Sequence, residues 1–505
     1  MKQETLKGNR VLIFQQRGWG IKIGHYLAKQ LQDEGAELAA LTFKKNADVF
    51  TKSQKEVKYT YIVNDDLVAE EPAEHNPKNY TLSDVCEGLG VDSAWLYVST
   101  LRHYARSYKD KYQYSFKQNI DDDGLRQYII AVYAYAAKLF DEFRPDIIIV
   151  PAFVDMRHIF FSILADKYNV PMIGVTDTKV KGYHTFTRSF KNDRGKFYDR
   201  VDALNGVNID SNYRNKAKQY IQEFREDFKR PAYEERRFQK KSIVKQVRAE
   251  LSPYRTILRQ WIKGRPDFVA KNLGVVNDNR PARYILRDHY MNKWYKRIMN
   301  TMQYDDFENI GKFAYFPLQV QPEATIDVMA PFHNNQIETI RQVAQLLPGD
   351  LTLVVKEHPS AVGKRPSSFI EKIKRMPNVS LIDYRITSDA VLKRASIVIS
   401  PSSTSLAESA FYNIPAIQLG DLGTTLKLPN VERHPDITTL STKIIESLEK
   451  KTTGSEYERR LENYVAAAYD TGFDFNYLGT WTGGDKDNLE PLWVLFKEEI
   501  VSALK

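Results

Sequence analysis

Cysteine is nearly absent: Cys86 stands alone in 505 residues. No internal disulfide is possible, which fits a reducing compartment. Long apolar runs are missing too. The best candidate span, residues 128–140, is broken by Lys138 and falls short of the roughly 20 apolar residues a membrane helix needs. The opening MKQETLKGNR is polar and shows no secretory leader, so a cytoplasmic protein is expected. Gly18, Gly20 and Gly24 do not spell the dinucleotide fingerprint, and no acid ends a clean second strand, which argues against an NAD site. No Asp-x-Asp lies between apolar strands. Asp121-Asp122-Asp123 precedes a helical pattern and reads as its cap. No repeat period or low-complexity tract stands out.

Charge is plentiful and uneven. The chain carries a net +9, yet residues 211–300 hold 23 Lys and Arg against 9 Asp and Glu, so the remainder is slightly acidic. Such a basic region suits an anionic partner, either a membrane surface or a polyanion, or else forms a solvated helical face. It lacks the interleaved aromatics that stack bases, so nucleic acid is not expected. Arg236, Arg237, Lys240, Lys241, Lys245 and Arg248 recur at spacings of about three to four, which lets several share one helical face.

The periodicity predicts an α/β chain of two or three domains, on a prior of roughly 150 residues each. Residues 10–15, 36–42, 59–63, 146–151 and 171–176 read as strands of a first Rossmann-like half, with helices over 125–143 and about 157–168. Residues 64–120 are irregular and polar and read as an insertion. Residues 210–305 read as charged helices broken at Pro231, Pro253, Pro266 and Pro281. Strands at 312–316, 351–355, 379–382 and 396–400 begin a second parallel sheet. The expected domains are 1–209, a basic helical insertion or inter-domain module at 210–310, 311–480, and a terminal helix in 481–505.

In a parallel sheet, ligands bind beyond the carboxyl ends of the strands. Two successive strand ends carry phosphate-friendly groups. One is Lys356-Glu357-His358-Pro359. The other is Pro401-Ser402-Ser403-Thr404-Ser405, which opens a helix containing Glu408. Lys356 and His358 supply a cation and a donor, on the same side if strand geometry continues. Ser402, Ser403 and Thr404 supply hydroxyls and backbone N–H groups at a helix start. Gln319, Gln321 and Glu323 lie in the loop after residues 312–316. Gly18 and Gly20 follow the first strand and are further phosphate-binding candidates. Asp155, Asp177 and His25, from the first half, are positional candidates for a general base.

The run from Tyr315 to Thr325 (YFPLQVQPEAT), the KEHP element and the serine-rich turn resemble segments of bacterial capsule and surface-polysaccharide biosynthesis proteins, including capsular Kdo transferases and polysialyltransferases. The resemblance covers about residues 312–420. It implies a GT-B glycosyltransferase, with two Rossmann-like domains facing a cleft and the donor nucleotide on the second. It also implies that Glu408 bonds the donor ribose and that the 319–323 loop faces the cleft. The expected partners are a nucleotide-sugar donor, a glycan or lipid-linked glycan acceptor, and an anionic membrane surface met through residues 211–300. The expected place is the cytoplasm, peripheral on the inner face of the cell membrane. No metal or other cofactor is expected. Alternatives are a non-hydrolysing nucleotide-sugar epimerase, a polyol-phosphate transferase, and a non-catalytic capsule-assembly scaffold.

Overall fold

The computed structural model describes residues 6–101, 120–206, 209–228, 242–263, 269–270, 274–275, 282–450, 452–482 and 488–505. The central strands are apolar, largely β-branched runs buried on both faces, as parallel sheets require, while the edge strands are only half-buried. The first six strands are β1 (Arg10–Gln16), β2 (Glu37–Phe43), β3 (Tyr61–Asn64), β4 (Ile147–Ile149), β5 (Met172–Asp177) and β6 (Tyr183–Thr187). A small ribbon pairs β7 (Val269–Ala270) with β8 (Gly274–Val275). The second sheet uses β9 (Phe313–Pro317), β10 (Thr352–Lys356), β11 (Val379–Ile382), β12 (Ile397–Ser400), β13 (Ala416–Gln418) and β14 (Val431–Arg433). A last strand, β15 (Phe473–Asp474), joins the first sheet.

The strand orders are β15-β6-β5-β4-β1-β2-β3 and β11-β10-β9-β12-β13-β14. The second is all parallel and doubly wound, with its order reversing between β9 and β12. The first reverses between β1 and β4, and carries β6 and β15 as antiparallel additions. In such sheets the crevice for a ligand opens outside the strand carboxyl ends at the reversal.

Three expectations about organisation are altered or narrowed. Residues 65–89 are not an unstructured insertion. They contain the helices Asp65–Glu70 and Leu82–Leu89, whose Val68, Ala69, Val85 and Leu89 enter the first domain's core. Each is too short to show a helical period. The helix Arg214–Glu226 sits between the domains rather than apart from them, because Ala217 and Ile221 pack in one cluster with Val180 and Phe197 of the first and Leu406 and Leu461 of the second. The chain also leaves the second domain before residue 480. β15 and the helix Glu490–Ala503 return to the first sheet, where Phe473, Leu492, Phe496 and Ile500 cover Ile149 and Phe186.

Pro253 sits inside the helix Ile243–Lys263 instead of ending it. Pro231, Pro266 and Pro281, with Arg236, Arg237, Lys240 and Lys241, lie outside the described residues. No helix among the described residues is long and apolar enough to cross a membrane.

Candidate functional site at the strand ends

The second sheet's reversal point is flanked by the turns after β9 and β12. Beyond β10 the chain folds back at once, with the Ala361 N–H donating to the His358 carbonyl at 2.8 Å. The backbone N–H of Ser360 donates to His358 Nδ1 at 3.0 Å. A neutral imidazole then carries its proton on Nε2.

Lys356 does not join it. Strand geometry stops at Lys356, and its buried ammonium donates to the Ile386 carbonyl at 2.9 Å and the Ser388 hydroxyl at 3.3 Å. The charge is thus tethered to the turn after β11. Between them, Glu357 is buried in an ion pair with Arg365, whose guanidinium also donates to the Gln319 carbonyl.

Beyond β12, Ser403 caps the helix Thr404–Phe411 by accepting from the Ser405 N–H at 3.1 Å. Ser402 is buried beside Met329, and Thr404 is exposed. Three turns converge here. A Cβ on Gly420 would lie 2.6 Å from the Pro401 carbonyl oxygen and 2.8 Å from that of Met329, so only glycine fits. Glu408 follows one turn along the helix.

The glutamines after β9 face inward. The Gln336 side chain accepts from the Gln319 N–H at 2.7 Å and donates to Gln321 Oε1 at 2.9 Å, while Gln321 donates to the Asn334 carbonyl. These buried amides are spent on holding the loop. Glu323 is exposed and accepts from the Thr325 hydroxyl at 3.1 Å.

In the first domain, Asp155 caps the helix Met156–Lys167 and is buried. It accepts from Arg157 Nε at 3.0 Å and meets His158 Nδ1 at 3.0 Å. Arg157 also pairs with Asp65, which accepts from the hydroxyls of Tyr128 and Tyr135, each at 2.9 Å. Burial pushes the Asp155 carboxyl up, but Arg157 and His158 outweigh it and hold it well below the usual carboxylate range. A buried carboxylate already engaged by Arg157 and His158 is a poor proton acceptor.

His25 lies about two turns beyond the end of β1 and pairs with Glu56 at 3.0 Å, on the flank of the sheet. Gly18 sits half-buried in the first turn after β1. Gly20 is packed so close that a Cβ would lie 2.6 Å from the Gln15 carbonyl carbon, a helix–strand contact. Asp121 caps its helix as expected, accepting from the Gly124 N–H at 2.8 Å. No group of three or more His, Cys, Asp and Glu that could hold a metal ion occurs among the described residues.

Asp177 differs from the other base candidates. It ends β5 exposed, with its side chain accepting from the Lys179 N–H at 2.6 Å. Tyr220, on the helix Arg214–Glu226, accepts from the Lys181 N–H of the first domain at 3.1 Å and packs edge-on against Phe411 of the second. Burial pushes its phenol up to about 12, and the carboxylates of Glu408 and Asp177 add to the rise. Sequence reasoning had no signal for Tyr220. It also missed a cavity of about 400 Å³ between the domains, lined by Tyr97 and Phe190 on one side and Met329, His333 and Gly420 on the other. A larger one, about 920 Å³, opens near Arg10 and Asp146, at the amino-terminal ends of β1 and β4, away from these strand ends. Two Rossmann-like sheets whose carboxyl ends meet at one junction make a GT-B-like arrangement.

No protein-family model matches the chain, and no curated protein does either. Similar solved structures include a Thermosulfurimonas dismutans KpsC β-Kdo 2,7 transferase, at 12% identity over 66% of this chain and 79% of that one, with a TM-score of 0.33. The UDP-GlcNAc 2-epimerase of Methanocaldococcus jannaschii is 12% identical over 89% and 97%, with a TM-score of 0.24. CalG4, the calicheamicin glycosyltransferase, is 12% identical over 92% and 95%, with a TM-score of 0.25. At these values the likeness fixes neither activity nor substrate, and the fold assignment rests on the strand orders.

Proposed function

We propose that the chain is a glycosyltransferase that moves a sugar from a nucleotide-activated donor to a growing capsular or surface polysaccharide or its lipid-linked acceptor. The reading is carried by the strand ends around the reversal of the second sheet. There His358, with its proton on Nε2, follows β10, and Ser402, Ser403 and Thr404 open a helix beyond β12. As the anomeric C–O bond breaks, the phosphate leaving group gains negative charge, and aimed N–H and O–H donors stabilise it without a metal. Glu408 holds the donor ribose. Asp177, from the opposite domain, takes the acceptor hydroxyl proton if configuration is inverted. The basic region 211–300 holds the enzyme to the anionic cytoplasmic face of the membrane, where lipid-linked acceptors are displayed.

The test is thermal denaturation with CMP, CDP, UDP and GDP, followed by transfer assays with the matching sugar nucleotides. A nucleotide at a hundred times its dissociation constant should stabilise the fold by about 2.7 kcal/mol. Stabilisation by none of the four would sink the donor-site assignment. Conversion of the donor sugar to its epimer, with no transfer, would mark an epimerase instead.

A further inference from the structure

Half of the exposed large apolar side chains among the described residues lie on one helical hairpin, formed by Ile243–Lys263 and Ala282–Thr301. The two helices touch through Glu250, which pairs with Lys293 and His289, and through the hydroxyls of Tyr254 and Tyr290, 2.5 Å apart. The second helix is anchored to the second domain, where Met299 enters the core and Tyr384 donates to Asn300 at 2.6 Å.

The first helix has an open side. Val244, Val247, Leu251, Tyr254, Leu258 and Trp261 alternate spacings of three and four and are all exposed, Trp261 at 87%. At about 100° per residue they share one arc, about 100° wide. Ile243, 78% exposed, and Ile262, 73% exposed, extend the same arc at the two ends. Lys245, Arg248, Arg255, Arg259 and Lys263 occupy the next arc, about 80° wide. Glu250 is the helix's one acid, and it faces the second helix. Tyr290 and Trp294 continue the apolar surface beside Tyr254.

We infer that Ile243–Lys263 is an interfacial helix that seats its apolar arc in an anionic lipid bilayer, with the five basic side chains at headgroup level. This rests on the membrane location proposed above and replaces a purely electrostatic contact with an inserted one. A large apolar face beside a Lys/Arg face, with tryptophan at the margin, is the composition of helices that lie in the membrane interface. Charge complementarity favours lipid over a second copy of this chain. An antiparallel two-fold pairing along the stripe would set the basic flanks side by side, and a parallel one would set each against the partner's equally basic second helix; the first helix has no unengaged acid to answer them.

Vesicles of phosphatidylcholine, with and without phosphatidylglycerol, separate these possibilities in a sedimentation assay at low and high salt. Wild type should bind the anionic vesicles, keep part of that binding at high salt, and show blue-shifted tryptophan emission when bound. Val247→Ser, Leu251→Ser, Leu258→Ser and Trp261→Ser combined should weaken binding at least tenfold and abolish the high-salt fraction, while donor hydrolysis is unchanged. The five-fold change of Lys245, Arg248, Arg255, Arg259 and Lys263 to Gln should remove the preference for anionic lipid. If the serine variant binds like wild type and all binding vanishes in salt, insertion is wrong and the electrostatic contact stands. If wild type binds no vesicle, both fall. A wild-type dimer that ignores vesicles and that the serine changes dissociate would overturn the inference in favour of self-association.

Discussion

Thr424, in the second domain, donates its hydroxyl to the Asp177 carbonyl at 3.3 Å, so the strand end that carries Asp177 is tied to the domain opposite. The carboxylate stays exposed while its backbone is fixed, which suits a proton acceptor at a domain junction.

Asp177→Asn is therefore expected to lower kcat by about a hundredfold or more, within the range of general-base contributions, with little change in melting temperature. Full turnover in the folded variant would remove Asp177 from the mechanism.

Asp155→Asn should behave the other way, as a stability variant. Removing one partner of a buried ion pair costs about 3–5 kcal/mol, and Arg157 keeps Asp65, so the lower end is expected. The Asp155 carboxyl is held well below its usual range in the fold. Its contribution is thus present above the unfolded value, about 3.9, and is lost as pH falls from there through the folded value. Urea denaturation across that window should show a steeper acid loss for wild type than for Asp155→Asn.

His358→Ala should reduce transfer by about a hundredfold or more and leave the fold intact, because one donor to a developing charge commonly contributes that much. Circular dichroism and a transfer assay on the same preparation decide it.

Turnover should survive EDTA. Loss of activity on chelation, restored by magnesium or manganese, would return attention to Asp121, Asp122 and Asp123.

Gly420→Ala is expected to destabilise the protein by about 1–3 kcal/mol, since the new methyl meets the carbonyls of Pro401 and Met329 rather than a flexible side chain. The same change should weaken nucleotide binding, as the turns it forces apart flank the reversal point. Calorimetry of the nucleotide found by thermal shift provides the check.

The central strands were readable because fully buried parallel strands are short β-branched runs, as in the segments around Ile148 and Val398. β6 and β15 were not. Tyr183–Thr187 (YHTFT) breaks the two-residue alternation at His184-Thr185, and Phe473–Asp474 is two residues long, so neither has a pattern apart from its partner. His358 and the serine turn stand at strand ends because such positions follow directly from where an apolar run stops. Lys356 was misplaced for a local reason: the chain turns at the very next residues, so the i, i+2 rule did not apply. Gln319 and Gln321 look like cleft-facing polar groups until their side-chain amides are traced, Gln319 to the Pro317 carbonyl and the Ser400 hydroxyl, Gln321 to the Asn334 carbonyl and Gln336. Tyr220 could not be found at all, because its contacts, the Lys181 N–H and the Phe411 ring, come from two distant parts of the chain.

The return of the chain to its starting domain has a mechanical consequence. The polypeptide leaves the first sheet after Thr187, at the end of β6, and comes back at Gly472, where a Cβ would lie 2.9 Å from the His184 carbonyl oxygen. Both crossings therefore run along the same strand. The two crossings lie close to the Thr424–Asp177 and Tyr464–Thr178 contacts, so covalent and hydrogen-bonded ties between the lobes are gathered at one edge of the first sheet. Gly472→Val, at one crossing, would press its side chain on the Ala468 and His184 carbonyls and should lower the melting temperature, with both lobes feeling the strain.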